Sequence, residues 1–376
     1  MKLKIPLARP EITEADRQAV MAVLQTSALS TGPQVTRFEK ALCEYLRLKY
    51  AVIVNSGTSA LQLAVETLQL APGTKVILPS FAFAAPLNVL LQRGLQPVFV
   101  DIEADSFNTT ADKIEAAITP GTSAIIAIHT FGLPLDMLAI CNVARRHNLL
   151  VIEDACEALG TEIHHRKAGT FGDVGILAFY PNKQITTGEG GVLITGREDI
   201  SNHAQCLRNQ GRDSSLDWLQ QTEVGYSYRL SDINCALGVS QLQRIESVVA
   251  TRQRLAEIYD QKLKLLPEIQ RPSMESPNAR ISWFCYVIRL PEGFNREQRD
   301  KVCEFLIERG ISCGRYFAPL HSQPVVAPMS ENFYLPVTDF VADRVIALPF
   351  FNQMTEAEVE VVVNTLAESL ASVRRK

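Results

Sequence analysis

The chain has 376 residues, 47% hydrophobic and 21% charged, so it can bury a sizeable core, and wholesale disorder is excluded. At ~150 residues per domain it suggests two or three units. Lysine and arginine number 37 against 41 aspartates and glutamates, a net charge of −4, which offers a phosphate backbone no global attraction and argues against a nucleic-acid scaffold.

In chain order, the first ten residues, Met1 to Pro10, carry charges and prolines where a secretion signal needs an apolar core. No apolar run approaches the ~20 residues of a membrane span. The expectation is a cytoplasmic protein without membrane contact. Short apolar runs then alternate with helical patterns. The runs are Ala51–Val54, Lys75–Leu78, Gln96–Val100, Ser123–Ile128, Leu149–Glu153, Val174–Phe179 and Gly191–Thr195. Several are apolar throughout, as strands covered on both faces are. Helical patterns such as Leu61–Leu68 and Met137–His147 lie between them, which predicts an α/β domain with a mostly parallel sheet. Ligands of such a sheet bind beyond the carboxyl ends of its strands.

An amphipathic stretch follows from about Ala236 to Leu266, with Leu242, Ile245, Val249, Leu255 and Ile258 at helical spacing. Residues 271–278, rich in proline and small polar side chains, read as a loop or domain junction. The pattern restarts with strand Ile281–Leu290, helix Arg296–Arg309, strand Ile311–Arg315 and a last helix from Thr355, where Glu358 completes a capping box. The expected division is a large domain over 1–245 with an amino-terminal arm, and a small α+β domain over 246–376 entered by a long linking helix. The 8 cysteines form no C-x-x-C pair and match no zinc spacing, so they read as reduced thiols and no metal is expected.

Three segments carry chemistry. The first strand runs into Asn55-Ser-Gly-Thr-Ser-Ala-Leu61 and a helix. Glycine permits a tight turn there, and hydroxyls sit beside free helical N–H groups, which makes either a phosphate cradle or an ordinary N-cap. Neither G-x-x-x-x-G-K-[ST] nor G-x-G-x-x-G is present, so P-loop and dinucleotide readings have little support. The second segment, Val151-Ile-Glu-Asp-Ala-Cys-Glu157, is an apolar strand ending in two acids. Strand alternation sends Glu153 and Asp154 to opposite faces, so one can meet a ligand while the other makes structural hydrogen bonds. A purely structural role and a paired acid and base are the competing readings. In the third, Ala178-Phe-Tyr-Pro-Asn-Lys-Gln-Ile-Thr-Thr-Gly-Glu-Gly-Gly191, Lys183 follows a strand and precedes a tight turn, at the same sheet edge as Asp154.

A cradle, an acid at a strand end and then a lysine is the order of pyridoxal-phosphate enzymes with the aspartate aminotransferase fold. The motifs NSGTSAL, PSFAFAA, EDACEALG, FYPNKQITTGEGG, GYSYRLSDINCALGVSQL and ALPFFNQMTEAE closely resemble those of the DegT/DnrJ/StrS-type nucleotide-sugar aminotransferases. They run in order from STGPQVTRFE to the last helix, over nearly the whole chain.

The resemblance implies that Lys183 is the Schiff-base lysine of pyridoxal 5'-phosphate and the proton shuttle at the substrate carbon. Asp154 matches the partner of the pyridine nitrogen; Gly57, Thr58 and Ser59 match the phosphate cradle; Phe83 matches the ring that stacks on the cofactor, with a plain core aromatic as its alternative. Glu157 stands where relatives often have Gln or His near the phenolic oxygen, so it must be protonated or turn to another donor. Ala178 replaces a common phosphate-binding serine. Ser227 replaces an asparagine that reaches the phosphate from a neighbouring subunit. Arg229, Tyr316 and His321, with Arg315, are candidates for binding substrate, His321 having a plain hydrogen-bonding role as its alternative. The implied reaction takes an amino group from glutamate to a nucleotide-linked keto sugar, with a lean to the 4-position, in a homodimer with shared sites. Amination of cyclitols, synthesis of aminobenzoate-type products and a cofactor-binding sensor without turnover are the alternatives.

Overall fold

In the computed structural model, which describes residues 4–212, 220–274, 278–329 and 333–374, the seven apolar runs of the first half pair into one sheet. Helices α1 (Glu14–Leu24) and α2 (Pro33–Leu46) precede β1 (Tyr50–Val54). Then come α3 (Gly57–Thr67), β2 (Lys75–Pro79), α4 (Ala85–Gln92), β3 (Gln96–Val100), α5 (Ala111–Ala116), β4 (Thr122–Ile128), α6 (Met137–Arg146) and β5 (Leu150–Asp154). Two short strands, β6 (Glu162–Ile163) and β7 (Arg166–Lys167), lead to β8 (Val174–Ala178), β9 (Gly191–Thr195) and α7 (Glu198–Arg208).

The sheet order is β1-β9-β8-β5-β4-β2-β3. β3, β2, β4, β5 and β8 are parallel, and β9 runs antiparallel between β8 and β1. The carboxyl ends of β1, β2, β4, β5 and β8 therefore share one edge with the amino end of β9. Most strand residues are buried, as helices on both faces require.

The carboxyl-terminal part is built from α8 (Asp232–Leu242), α9 (Ile245–Leu263), β10 (Ala279–Arg280), β11 (Tyr286–Arg289), α10 (Arg296–Glu308), α11 (Pro336–Ala342), β12 (Val345–Leu348) and α12 (Glu356–Arg374). Antiparallel β11 and β12 pack with Val302, Leu306, Val359, Val362 and Leu366 in one core, which also takes in Ile5, Phe81, Phe107 and Phe131. The last helix starts as expected: Glu358 Oε2 accepts the Thr355 N–H at 2.7 Å, and Thr355 Oγ1 accepts the Glu358 N–H at 3.2 Å.

Three elements differ from the sequence reading. The amphipathic stretch is two helices, not one. Arg244 leaves helical geometry at the break, where its guanidinium pairs with Glu11 at 3.0 Å and Asp16 at 3.0 Å. The strand expected from Ile281 begins only at Tyr286, after Trp283 turns through a φ of 51°. Ile311–Arg315 forms isolated bridges, Ile311 with Ile5 and Gly314 with Ala347, instead of a strand. Residues 275–277 of the expected junction lie outside the described residues. Among the described residues no helix is long and apolar enough to cross a membrane, and no cluster of metal-ligating side chains occurs.

Candidate active site

A cavity of about 420 Å³ opens at the shared edge of the sheet, lined by residues that follow β1, β2, β4, β5 and β8. At the end of β5 the two acids separate as strand alternation requires. Glu153 is fully buried; its oxygens accept N–H groups from Gly169 (2.7 Å), Phe171 (2.7 Å) and Gly172 (3.1 Å) and meet His129 Nε2 at 2.9 Å. Asp154 lines the cavity. Its Oδ1 accepts the Cys156 N–H at 3.0 Å, which fixes the carboxylate at the strand end. The reading of the two acids as a general acid–base pair on one substrate has no geometric basis here.

β1 delivers the second wall. Ser56 caps α3, its Oγ accepting the Ser59 N–H at 3.0 Å. The N–H groups at the start of a helix have no intrahelical partner, so Gly57 and Thr58 present donors and the positive end of the dipole to the cavity. A side chain at Gly57 has no room: a Cβ there would lie 2.8 Å from Ala178 Cβ and 3.1 Å from Cys156 Sγ. Ser59 does not line the cavity; its hydroxyl donates to Asn55 Oδ1 at 2.6 Å. Ser56 occupies the wall instead, a residue the sequence reading passed over although its place before the helix marks it as a cap.

Lys183 sits in the turn after β8, with its side chain 13% exposed. Its Nζ lies 3.5 Å from Glu157 Oε1 and 4.1 Å from the centre of the Phe284 ring. Glu157 Oε2 accepts the Phe131 N–H at 2.8 Å. Burial pushes the Glu157 carboxyl above its ordinary range, against the opposing pull of Lys183 and the Phe131 N–H. Gln184 ties the lysine turn to its surroundings, donating to the Glu157 carbonyl at 2.7 Å and to Ser282 Oγ at 3.0 Å.

The mouth is aromatic. Phe83 is 64% exposed beside the cavity, so it is no core aromatic, and its ring meets Phe317 edge-on at 6.5 Å. Tyr316 also lines the cavity, its hydroxyl pushed up to about 12 by burial.

The remaining candidates lie elsewhere. His321 is not in the wall; its ring nitrogen Nδ1 bonds Ser80 Oγ at 2.7 Å and Nε2 lies 3.3 Å from Asp339. Arg315 pairs with Asp300 at 2.6 Å. Ser227 and Arg229 stand outside this cavity, Arg229 donating to Ser227 Oγ at 2.9 Å and to Asn209 Oδ1 at 3.1 Å.

The residues present fit pyridoxal phosphate. A phosphate suits the helix start, where the bare Gly57 leaves a cradle that a Cβ would fill. A carboxylate and a primary amine face the same space, and Thr130 Oγ1 is buried on the wall without a hydrogen-bond partner among the described residues. Thr130 and Phe284 escaped the sequence reading because each reaches the cavity from a distant segment and carries no motif of its own.

Comparison with known proteins agrees with this geometry. A family model described as the DegT/DnrJ/EryC1/StrS aminotransferase family matches residues 10–367. The chain is 36% identical over 369 residues to the GDP-perosamine synthase of Caulobacter vibrioides, covering 98% of each. Among solved structures it is similar to the aminotransferase TlmJ from Streptoalloteichus hindustanus, at 29% identity and a TM-score of 0.93 over 98% of this chain and 100% of that one. It is also similar to a protein described as a sugar aminotransferase, Spr1654 from Streptococcus pneumoniae, in its PLP form, at 26% identity and a TM-score of 0.92 over 98% and 99% of the two chains.

Proposed function

The chain belongs to the DegT/DnrJ/EryC1/StrS aminotransferase family, and from that premise we propose that it transfers an amino group from glutamate to a nucleotide-linked 4-keto-6-deoxy sugar. It works as a cytoplasmic homodimer with pyridoxal 5'-phosphate held at Lys183. The observation that carries the reading is the convergence of Lys183, Asp154 and the start of α3 on one cavity.

Pyridoxal phosphate, when bound, supplies an electron sink and a carrier for the amino group. The chain's own residues do the rest. The N–H groups of Gly57 and Thr58, with the Thr58 hydroxyl, bind the phosphate. The Asp154 carboxylate holds a proton on the ring nitrogen, and its bond from the Cys156 N–H keeps it aimed there. Phe83 covers the ring and excludes water. Lys183 Nζ anchors the cofactor and moves the proton at the substrate carbon. Glu157, turned to Phe131 N–H and Lys183, serves as the wall of the amine.

Glutamate and a nucleotide diphosphate are both anions. Among the described residues that line the cavity Lys183 is the one cation, so the site needs positive charge from outside one chain. Arg229 of a second copy supplies it in the proposed dimer, with Ser227 beside it as a hydroxyl donor, which accounts for their place outside the cavity of their own chain. The closeness of the relative described as a GDP-perosamine synthase supports the nucleotide sugar.

The test is direct. Purified protein with added pyridoxal phosphate is expected to absorb in the visible, and borohydride reduction is expected to fix the cofactor on Lys183, read by peptide mass spectrometry. Glutamate is expected to bleach the colour, and a panel of nucleotide-linked 3-keto and 4-keto sugars to restore it. A colourless protein with no adduct at Lys183 sinks the reading. Colour that no amino donor discharges marks a cofactor-binding protein without turnover.

A further inference from the structure

Ser80 follows β2 directly, is fully buried, and binds the carboxyl-terminal part through both backbone and side chain. Its carbonyl accepts the Leu320 N–H at 2.8 Å, its Oγ accepts the His321 N–H at 3.1 Å, and the same Oγ lies 2.7 Å from His321 Nδ1. The hydroxyl has its hydrogen left to donate to Nδ1, and the ring then turns its Nε2 hydrogen to Asp339 Oδ1 at 3.3 Å. The His321 ring is thereby fixed at both nitrogens, between the sheet edge and α11.

Both partners of this clasp belong to segments that shape the cavity. Ser80 opens the loop between β2 and α4, which carries Phe83. His321 closes the segment that carries Tyr316 and Phe317, and all three aromatic residues line the cavity. At its other end the segment is tied by Gly314, which exchanges backbone hydrogen bonds with Ala347 of β12 at 2.9 and 2.8 Å. Between these ends Phe317 rests on rings, stacked on Phe131 at 5.3 Å and edge-on to Phe81 at 5.9 Å. Apolar packing is non-directional and lets a ring slide, whereas a hydrogen bond fixes distance and angle. The 6.5 Å between the Phe317 and Phe83 rings therefore depends on the clasp.

We propose that His321 is a positioning residue of the active site: its bond to Ser80 locks the Tyr316–Phe317 segment against the Phe83 loop and sets the width of the mouth in which the nucleotide sugar binds. This rests on the sugar aminotransferase reading above. His321 itself stays off the cavity wall. Asp154 and the turn of Lys183 are held by other bonds, so loss of the clasp weakens binding of the sugar and spares the chemical step.

Steady-state kinetics with glutamate and a GDP-linked 4-keto-6-deoxyhexose test the clasp in His321→Leu, His321→Asn and His321→Gln. Asparagine places an amide atom where Nδ1 stands and keeps a bond to Ser80, whereas glutamine reaches towards Asp339 and loses it. The leucine and glutamine variants are expected to raise KM for the sugar about five- to tenfold with kcat within about twofold, and the asparagine variant to stay within about twofold of the wild type in both. Circular dichroism and the visible spectrum of the bound cofactor report whether each variant is folded and loaded. Ser80→Ala, which keeps the carbonyl for Leu320, is expected to give the same rise and serves if His321→Leu does not fold. A wild-type KM in the leucine variant, an equal rise in the asparagine variant, a rescue by glutamine, or a kcat that falls in step with binding overturns the assignment of His321 and leaves the aminotransferase reading standing. A wild type that glutamate bleaches but that does not aminate the sugar overturns both.

Discussion

Glu153→Gln probes how the end of β5 is held in place for the acid beside it. The Glu153 carboxylate is fully buried and receives Gly169 N–H and His129 Nε2 on Oε1 and Phe171 N–H and Gly172 N–H on Oε2. His129 Nδ1 accepts the Leu135 N–H at 3.1 Å, so the ring carries its hydrogen on Nε2 and donates it to Glu153. Glutamine conserves the volume and opens no cavity. It replaces one oxygen by an amide group that faces two donors, whichever way it is turned. Two hydrogen bonds to a charged acceptor are lost, at about 1.5–3 kcal/mol each, or ~4 kcal/mol together. With ~2.1 cal/mol/K of unfolding entropy per residue and the chain unfolding as one unit, 1 kcal/mol shifts Tm by about 1.3 °C, so the fall is ~5 °C. Scanning calorimetry of the full chain at two scan rates measures it, the second rate exposing any irreversible step. The loss should also weaken cofactor retention, because His129 leads into Thr130 and the Phe131 N–H that holds Glu157. A midpoint within about one degree of the wild type would refute the account of Glu153 as the anchor of this edge.

Asp154→Asn keeps an oxygen for the Cys156 N–H but removes the charge beside the ring nitrogen; turnover should fall about a hundredfold or more with circular dichroism unchanged. An unaltered rate would assign the ring nitrogen to another group. In Gly57→Ala the new methyl would stand 2.8 Å from Ala178 Cβ, so cofactor affinity should fall about tenfold or more, read by fluorescence titration of the cofactor-free protein. Equal affinity in the two proteins would remove the helix start from the cradle. Glu157→Gln addresses pH. Burial raises the folded-state pKa of Glu157, so between its ordinary value and that raised value the folded protein binds more protons than the unfolded chain, and the wild type loses stability as pH rises. The variant lacks this loss, so its Tm relative to the wild type should be higher at about pH 8 than at about pH 5. A difference that is flat or reversed contradicts the direction.

The seven strands of the large sheet are legible in the chain because both of their faces are covered. Apolar runs such as Ala51–Val54 and Val174–Ala178 need no knowledge of their neighbours to be read as buried strands. The two acids at the end of β5 follow from alternation alone, and the Thr355–Glu358 capping box from a spacing of three. Local rules fail where a remote contact outweighs them. Arg244 breaks an otherwise continuous amphipathic pattern because Glu11 and Asp16, more than two hundred residues away in sequence, hold its guanidinium. Trp283 turns the chain where the run of apolar residues reads as strand, and β12 lies hidden in the motif around Pro349.

The site divides in the same way. Sequence by itself picked out Lys183, Asp154 and the Gly57–Thr58 turn, which line one cavity, because the chemistry proposed for them demands particular residue types at strand ends and those types stand there in order. Tertiary structure alone decided which neighbours shape them: Phe284 under the lysine, Ser56 rather than Ser59 on the cavity wall, His321 withdrawn to Ser80, and an Asn182 oxygen left without a partner among the described residues. These depend on where helix starts, turns and the carboxyl-terminal segment meet at one sheet edge. Hydrogen-bond partnership is a property of atoms in space, and spacing along the chain does not encode it.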